Sequence, residues 1–241
     1  MISRYLGLVS LVDTHVGQVL DALDEHNLFD HSVVAYTSDH GDMVGHQQLM
    51  IKNVMFEQSI RVPLVLSVPD IDGGRMSEQP VSHIDLVPTL LDALGQSVPA
   101  HLQGDSLLPF LRGEVDALET PYIVVEQNGP DAPGIDRRKS EWPAQGSRPH
   151  PDKQLAERAA DFATEAQIRR AYLEPVRTVI SPELMKLNYH RDGERELYDL
   201  KADPDETENI AGRAENADTA EELTGRIFDW QVRTRDPVYL P

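Results

Sequence analysis

An apolar run that ends in an Asp-His pair constrains this chain more than any other feature of its sequence. Residues 31–36 are rich in β-branched and aromatic side chains, which predicts a buried strand at 32–38. Asp39 and His40 follow at its carboxyl end, where open α/β sheets bind their ligands. A carboxylate oxygen and an imidazole nitrogen can share one divalent cation. The sequence therefore predicts a metal-binding loop with Asp39 and His40 as ligands, the alternative being a turn-capping Asp beside a surface His.

Three further side chains of this loop are candidates for the same site. Lys52 offers a compact ammonium for an oxyanion held by the metal, unless it is an ordinary surface lysine. Asp42 could orient His40 by a hydrogen bond without binding the metal itself, or it could cap the backbone of the loop. His46 is a weaker candidate for a substrate contact, and exposure to solvent is its simpler explanation.

Helical and strand patterns alternate through the first half of the chain. Apolar residues at helical spacing predict an amphipathic helix over 5–27 and a second helix over 83–94, and apolar runs predict strands over 62–68 and 121–126. This alternation predicts an α/β fold with a mixed, mostly parallel sheet flanked by helices.

The second half of the chain has a different character. Residues 127–152 are rich in Pro and Gly, which predicts a long loop, and 152–172 are predicted to be helical. Three short apolar runs then predict a small antiparallel sheet over 176–181, 184–190 and 196–200, before a terminal helix over 216–233. We therefore divide the chain into a partial α/β domain with the metal loop (1–126), a variable loop and helix (127–175), and a small antiparallel subdomain with its helix (176–241).

Composition limits the classes of function. The formal net charge of −19 argues against a nucleic-acid or anionic-membrane binder. The chain has no cysteine, which excludes disulfides and a cysteine nucleophile within it. Its amino terminus lacks a signal-peptide pattern, and no uninterrupted apolar run reaches the roughly 18 residues of a membrane span. The sequence thus predicts a cytoplasmic location.

Several segments together resemble the sulfatase family of the alkaline phosphatase superfamily, with arylsulfatases and choline-sulfatases as the nearest types. The matching segments are 5–23, 34–57, 61–64, 81–94, 102–111 and 196–211. They occur in the family's order and spacing, and only the region around 127–172 lacks a counterpart. The resemblance implies an alkaline-phosphatase-like fold and hydrolysis of sulfate esters.

The resemblance also implies roles for individual residues. Asp39 and His40 match the family's metal ligands, and Lys52 matches its sulfate-binding lysine. Calcium is the cation expected first, because the family commonly uses it, and manganese second, because a His ligand suits it better. Family members attack sulfur with a formylglycine made from Cys or Ser in a C/S-x-P/A-x-R motif. Ser97 and Ser147 have Pro two places on but no Arg four places on, so this chain holds no nucleophile.

These departures leave several functional alternatives. The chain is expected to be a carboxyl-terminal sulfatase portion, inactive alone on a small sulfate-ester substrate. The same metal loop would also suit a phosphodiesterase or phosphonate monoester hydrolase of the superfamily. A third alternative is a non-catalytic remnant, or a half that pairs with a separate amino-terminal half. Because the predicted strands need cover on both faces, an amino-terminal half or a homo-oligomer is expected to cover them.

Overall fold

The computed structural model describes residues 2–49, 52–118, 122–129, 174–238 and 240. The chain forms two compact units: Met1–Asp39 with Val62–Ile123, and His40–Arg61 with Val124–Pro241. The predicted helix over 152–172, and most of the predicted loop before it, lie outside the described residues. The predicted three-part division of the chain stays a prediction.

The first unit begins with helix α1, Ile2–Glu25, which confirms the predicted amphipathic helix. None of its residues is buried, and Leu8 and Val19 are 61% and 60% exposed. By length and composition, α1 is the one helix in the described part of the chain that could cross a membrane. Helices in the cores of soluble proteins and signal sequences pass the same test. What α1 shows directly is an apolar stripe that stays largely exposed.

Two strands follow α1 and pair with each other. Strands β1, Val34–Thr37, and β2, Leu64–Ser67, are antiparallel, with Val34 opposite Ser67 and Thr37 opposite Leu64. The expectation of a mostly parallel sheet is not met by these strands, because an apolar run reports burial and does not encode strand direction. Neither strand is fully buried, and Val65 of β2 is 61% exposed.

A capped helix completes the first unit. The Ser82 backbone N–H donates to Asp85 Oδ2 at 2.9 Å, in a capping box that starts the turn His83–Asp85 and then helix α3, Leu86–Ala93. The helix ends before Gly95, which has a positive φ of 66°, as the sequence predicts. Burial raises the pKa of Asp85, although N–H donors from Ser82 and Asp105 oppose this effect.

The second unit contains a four-stranded sheet and a long helix. Its strands, in spatial order, are β3 (Ile123–Gln127), β4 (Val176–Ile180), β5 (Met185–His190) and β6 (Arg195–Asp199). The β4–β5 and β5–β6 pairs are antiparallel, which confirms the predicted small sheet. The predicted strand at 121–126 appears as β3, at the edge of this sheet.

The terminal helix covers one face of that sheet. Helix α5 (Ala217–Thr234) contributes Leu223 and Ile227 to a core that also holds Val179, Leu187 and Leu197. Tyr189 of β5 meets Phe228 of α5 edge to face, with ring centroids 5.4 Å apart. The short helix α2 (Glu57–Ile60) also belongs to this unit. The unit therefore combines the segment after Asp39 with the carboxyl-terminal sheet.

A buried ion pair joins β4 to the chain beyond α5. Arg177 donates from Nε and Nη2 to the two carboxylate oxygens of Asp236, at 2.7 and 2.8 Å, and neither side chain is exposed. Its remaining donors reach the Gln127 carbonyl at 2.9 Å and Asn128 Oδ1 at 2.8 Å. These bonds satisfy the guanidinium inside the unit, as a buried charge requires.

Candidate metal and anion site

His40 and Lys52 lie in direct contact in the second unit. The Lys52 Nζ is 2.5 Å from His40 Nε2, and His40 Nδ1 is 2.7 Å from the Gly41 carbonyl oxygen. A carbonyl only accepts hydrogen bonds, so Nδ1 carries the proton and Nε2 presents a lone pair to the ammonium. The structure therefore brings together two of the three side chains predicted to form the site.

Gly41 holds this segment against α2 by very close backbone packing. Its N–H donates to the Ser59 carbonyl at 2.7 Å. A Cβ at this position would lie 2.0 Å from the Gln58 carbonyl oxygen, so no other residue fits without a backbone shift. The position of His40 is thus coupled to the position of α2.

Asp39 is the last residue of the first unit and directly follows its Ser38. The Ser38 hydroxyl is 3.4 Å from Asp39 Oδ1, and the Ser38 carbonyl accepts a hydrogen bond of 2.8 Å from His83 Nε2. This hydrogen bond from His83 was not predictable from the sequence, because a histidine just before α3 is equally typical of the start of a helix. The contact fixes the backbone of the residue preceding Asp39.

Asp42 and His46 occupy less specific positions in the loop. Asp42 Oδ1 accepts the Val44 N–H at 3.1 Å, so Asp42 caps the backbone of the loop. His40 donates its Nδ1 proton to the Gly41 carbonyl and not to Asp42. This cap holds Val44 at a positive φ of 44°, a strained conformation for a β-branched residue. His46 is exposed at the start of the short turn His46–Gln48.

An unpredicted ion cluster lies where α2 meets the carboxyl-terminal sheet. Lys186 Nζ is 2.7 Å from Glu206 Oε1 and 3.1 Å from Glu57 Oε1, and the Lys186 and Glu206 side chains are fully buried. Residues 203–208 are a run rich in acidic side chains, a pattern that predicts a solvated face, and this prediction is wrong for Glu206, which is buried. Burial raises the pKa of Glu206, and its ion pair with Lys186 opposes the rise. One sequence signal could have indicated this cluster. Lys186 lies at an inward position of an apolar strand, in a chain that has few lysines.

The described residues hold no cluster of three or more His, Cys, Asp or Glu side chains suited to a metal ion. The assignment of Asp39 and His40 as metal ligands stays a prediction. Their donors, a carboxylate oxygen and a neutral imidazole nitrogen, are suited to a divalent cation.

Comparisons with known proteins agree with this fold. Residues 1–96 match the family model described as Sulfatase. N-acetylglucosamine-6-O-sulfatase of Bacteroides thetaiotaomicron is 30% identical over 234 residues, which cover 96% of this chain and 36% of that protein. A solved structure in complex with its substrate D-glucosamine-2-N,6-O-disulfate aligns with a TM-score of 0.72 at 26% identity, covering 97% of this chain and 41% of that one. Phosphonate monoester hydrolase from Silicibacter pomeroyi aligns with a TM-score of 0.71 at 26% identity, covering 95% and 40%.

The chain is similar to the sulfatase family of the alkaline phosphatase superfamily, a family of sulfuric ester hydrolases. The alignments also confirm its α/β, alkaline-phosphatase-like fold class. The chain spans between 36% and 41% of the length of these three proteins.

Proposed function

We propose that this chain carries the metal loop and the sulfate-binding lysine of a sulfuric ester hydrolase. The observation that supports this most directly is the 2.5 Å contact between Lys52 Nζ and His40 Nε2. It brings an ammonium to the nitrogen whose lone pair suits a cation. A cation and an ammonium side by side would stabilise the same oxyanion.

Asp39 and His40 are the residues that would hold the cation. The Gly41 carbonyl fixes the His40 tautomer with the Nε2 lone pair available to a ligand, as is usual for metal-binding histidines. Calcium is the first choice, because members of the sulfatase family commonly use it, and manganese is the second, because it accepts an imidazole nitrogen more readily. When bound, the cation supplies Lewis-acid stabilisation of the sulfate oxygens.

Lys52 would contribute charge without forming a bond to the cation. Its ammonium can donate three hydrogen bonds, so it can turn from His40 to an oxygen of the substrate. In the transition state of sulfate-ester hydrolysis, charge develops on the leaving oxygen and the sulfuryl oxygens. A fixed ammonium there lowers the barrier most if water is excluded.

The nucleophile would come from a partner segment. The chain has no cysteine and no matching serine motif, and it spans about two fifths of its relatives. Its first unit leaves the apolar stripe of α1 and the residue Val65 of β2 exposed. We propose that an amino-terminal sulfatase half, with its nucleophile motif, covers these surfaces. A homo-oligomer is the alternative, and nucleic-acid and membrane partners are not expected. The cytoplasmic location stays a prediction from the sequence.

The substrate class follows from the relatives. A small sulfate ester is the proposed substrate, and sulfated amino sugars are the first to test, because two similar proteins carry such substrates in their names. The similarity to a phosphonate monoester hydrolase favours phosphonate monoesters as the second candidate. Both substrates present a tetrahedral oxyanion to a metal and an ammonium, so the site alone does not separate them.

The test is complementation with an amino-terminal half of a related sulfatase, by co-expression or fusion. Glucosamine 6-sulfate and a phenyl phosphonate monoester are offered to the purified complex, and release of sulfate and of phenol is measured. Sulfate release that requires both halves supports the proposal. Preferred phosphonate hydrolysis would favour the alternative, and no turnover of either would favour a non-catalytic remnant.

A further inference from the structure

The buried cluster of Glu57, Lys186 and Glu206 takes no part in the proposed chemistry. Lys186 lies in β5, Glu206 in the segment after β6, and Glu57 at the first position of α2. Glu206 bonds in two directions: Oε1 meets Lys186 Nζ at 2.7 Å, and Oε2 accepts the Glu57 N–H at 2.6 Å. One carboxylate thus ties the start of α2 to the middle strand of the sheet.

The connection continues from α2 to His40. Ser59 of α2 accepts the Gly41 N–H at 2.7 Å, and Gly41 packs so closely against α2 that a Cβ would overlap the Gln58 carbonyl. The Gly41 carbonyl in turn accepts the His40 Nδ1 proton at 2.7 Å. Every step from Lys186 to the imidazole is an ion pair, a hydrogen bond or a backbone contact within the second unit.

A second tether joins the same two regions. Gln47, in the loop between His40 and Lys52, donates from Nε2 to the Asp205 carbonyl at 2.7 Å and to the Glu206 carbonyl at 3.3 Å. Glu206 has a positive φ of 53°, which lets its side chain and its carbonyl serve both tethers. The loop is therefore linked to this one turn at two places, directly through Gln47 and indirectly through α2.

We propose that Glu206, with Lys186 and Glu57, positions His40 by fixing α2 and the metal loop on the carboxyl-terminal sheet. These are positioning residues, since the connection from them to His40 runs through α2 and Gly41. A buried ion cluster stabilises a fold less well than apolar packing of the same volume, but it specifies one arrangement of the groups it joins. The relevance for catalysis rests on the proposed function, whereas the positioning of His40 does not.

The competing explanation is that the cluster only stabilises the sheet. The unit offers a matched control, because Arg177 and Asp236 form another fully buried ion pair that does not contact the metal loop. The matched variants are Glu206→Gln and Asp236→Asn. Each converts a buried carboxylate into its amide and keeps the shape of the side chain.

The experiment measures amide hydrogen exchange of Gly41 and the ring nitrogen shifts of His40 by NMR in the 241-residue chain. We expect Glu206→Gln to speed Gly41 exchange relative to Leu187 by at least about tenfold, the effect of one lost hydrogen bond to a charged group. The His40 shifts should move from the Nδ1–H pattern toward a mixture of tautomers. Asp236→Asn should lower the unfolding midpoint while leaving both site signals unchanged.

Two milder variants keep the test decisive if Glu206→Gln does not fold. Glu57→Gln retains its backbone N–H and should have a smaller effect than Glu206→Gln. Gln47→Ala removes an exposed side chain and should speed Gly41 exchange without changing the unfolding midpoint. The proposal is overturned if Gln47→Ala leaves Gly41 exchange unchanged, or if Asp236→Asn changes the His40 signals as Glu206→Gln does.

A Mn²⁺ titration of the complemented wild-type protein separates this proposal from the proposed function. If Mn²⁺ fails to bind, the metal site is refuted, while the exchange data still decide whether the cluster positions His40. If Mn²⁺ binds, Glu206→Gln should weaken its affinity and Asp236→Asn should not. Equal weakening by both would overturn the positioning role.

Discussion

Lys52 donates a hydrogen bond to Nε2 of His40, the nitrogen whose lone pair a metal would use, at 2.5 Å. The ammonium and a cation on Nε2 therefore compete for one lone pair. Binding of a divalent cation at His40 would require Lys52 to turn away, and its charge would then be available to a substrate oxyanion.

The first prediction concerns this competition. In the complemented protein, Lys52→Ala should bind Mn²⁺ as tightly as the wild type or up to about tenfold more tightly, since a neighbouring positive charge is removed. Electron paramagnetic resonance of unbound Mn²⁺ measures this affinity. Lys201→Ala, at an exposed lysine, is the control and should leave the affinity unchanged. Loss of Mn²⁺ binding in Lys52→Ala would show that the lysine does not compete with the cation.

The second prediction concerns the close packing at Gly41. Gly41→Ala should destabilise the second unit by about 3 kcal/mol, because its Cβ would lie 2.0 Å from the Gln58 carbonyl oxygen. Gly17→Ala is the control: nothing lies within 4 Å of its Cβ, and the change should stabilise α1 by roughly 0.5–1 kcal/mol. Urea unfolding of both variants provides the comparison. A Gly41→Ala protein as stable as the wild type would contradict the observed packing.

The third prediction is a pH dependence of the Arg177–Asp236 pair. Burial pushes the pKa of Asp236 up, but the hydrogen bonds from Arg177, Val238 and Gln231 outweigh it and hold the pKa below the ordinary 3.8. The stabilisation by this carboxylate is therefore complete above its ordinary pKa and is lost as pH falls through the lower folded value.

Asp236→Asn should accordingly cost on the order of 3 kcal/mol at neutral pH, because it leaves the buried Arg177 without its counter-charge. The stability difference from the wild type should hold down to about pH 5 and shrink only under more acidic conditions. Urea midpoints across this range measure it. A difference that grows on acidification would reverse the assigned direction of the pKa shift.

The fourth prediction concerns the exposed helix α1. The chain alone should self-associate or bind a hydrophobic dye, and Leu8→Lys with Val19→Lys should reduce both effects without lowering the unfolding temperature. Asp21→Lys on the same helix is the control for added charge. Light scattering and dye fluorescence provide the readouts. A monodisperse wild-type monomer that binds no dye would rule out an unpartnered apolar surface.

Much of the fold is encoded locally and was predictable. Helices α1, α3 and α5 follow from apolar spacing, with Gly95 ending α3, and the carboxyl-terminal sheet follows from short apolar runs around a glycine turn. Strand direction was not predictable, because β1 and β2 have apolar runs that suit parallel and antiparallel neighbours equally. The assignment of the third strand to the carboxyl-terminal sheet also depends on tertiary pairing.

The site was predicted only in part, for a related reason. Lys52 and His40 were both assigned to the site from one segment of the chain, whereas their direct contact was not predicted. The cluster around Glu206 joins residues more than a hundred positions apart, with 149 positions between Glu57 and Glu206. An acidic run offers no local sign that one of its members is buried, so a solvated face was the natural expectation.

The central claim is that Asp39 and His40 bind the cation while Lys52 acts on the substrate oxyanion. The most direct test measures metal content and sulfate release together in the complemented protein. Asp39→Ala and His40→Ala should lose both, whereas Lys52→Ala should keep its metal and lose about a hundredfold or more in turnover. If Lys52→Ala loses its metal, or if His40→Ala keeps both metal and rate, these assignments are wrong.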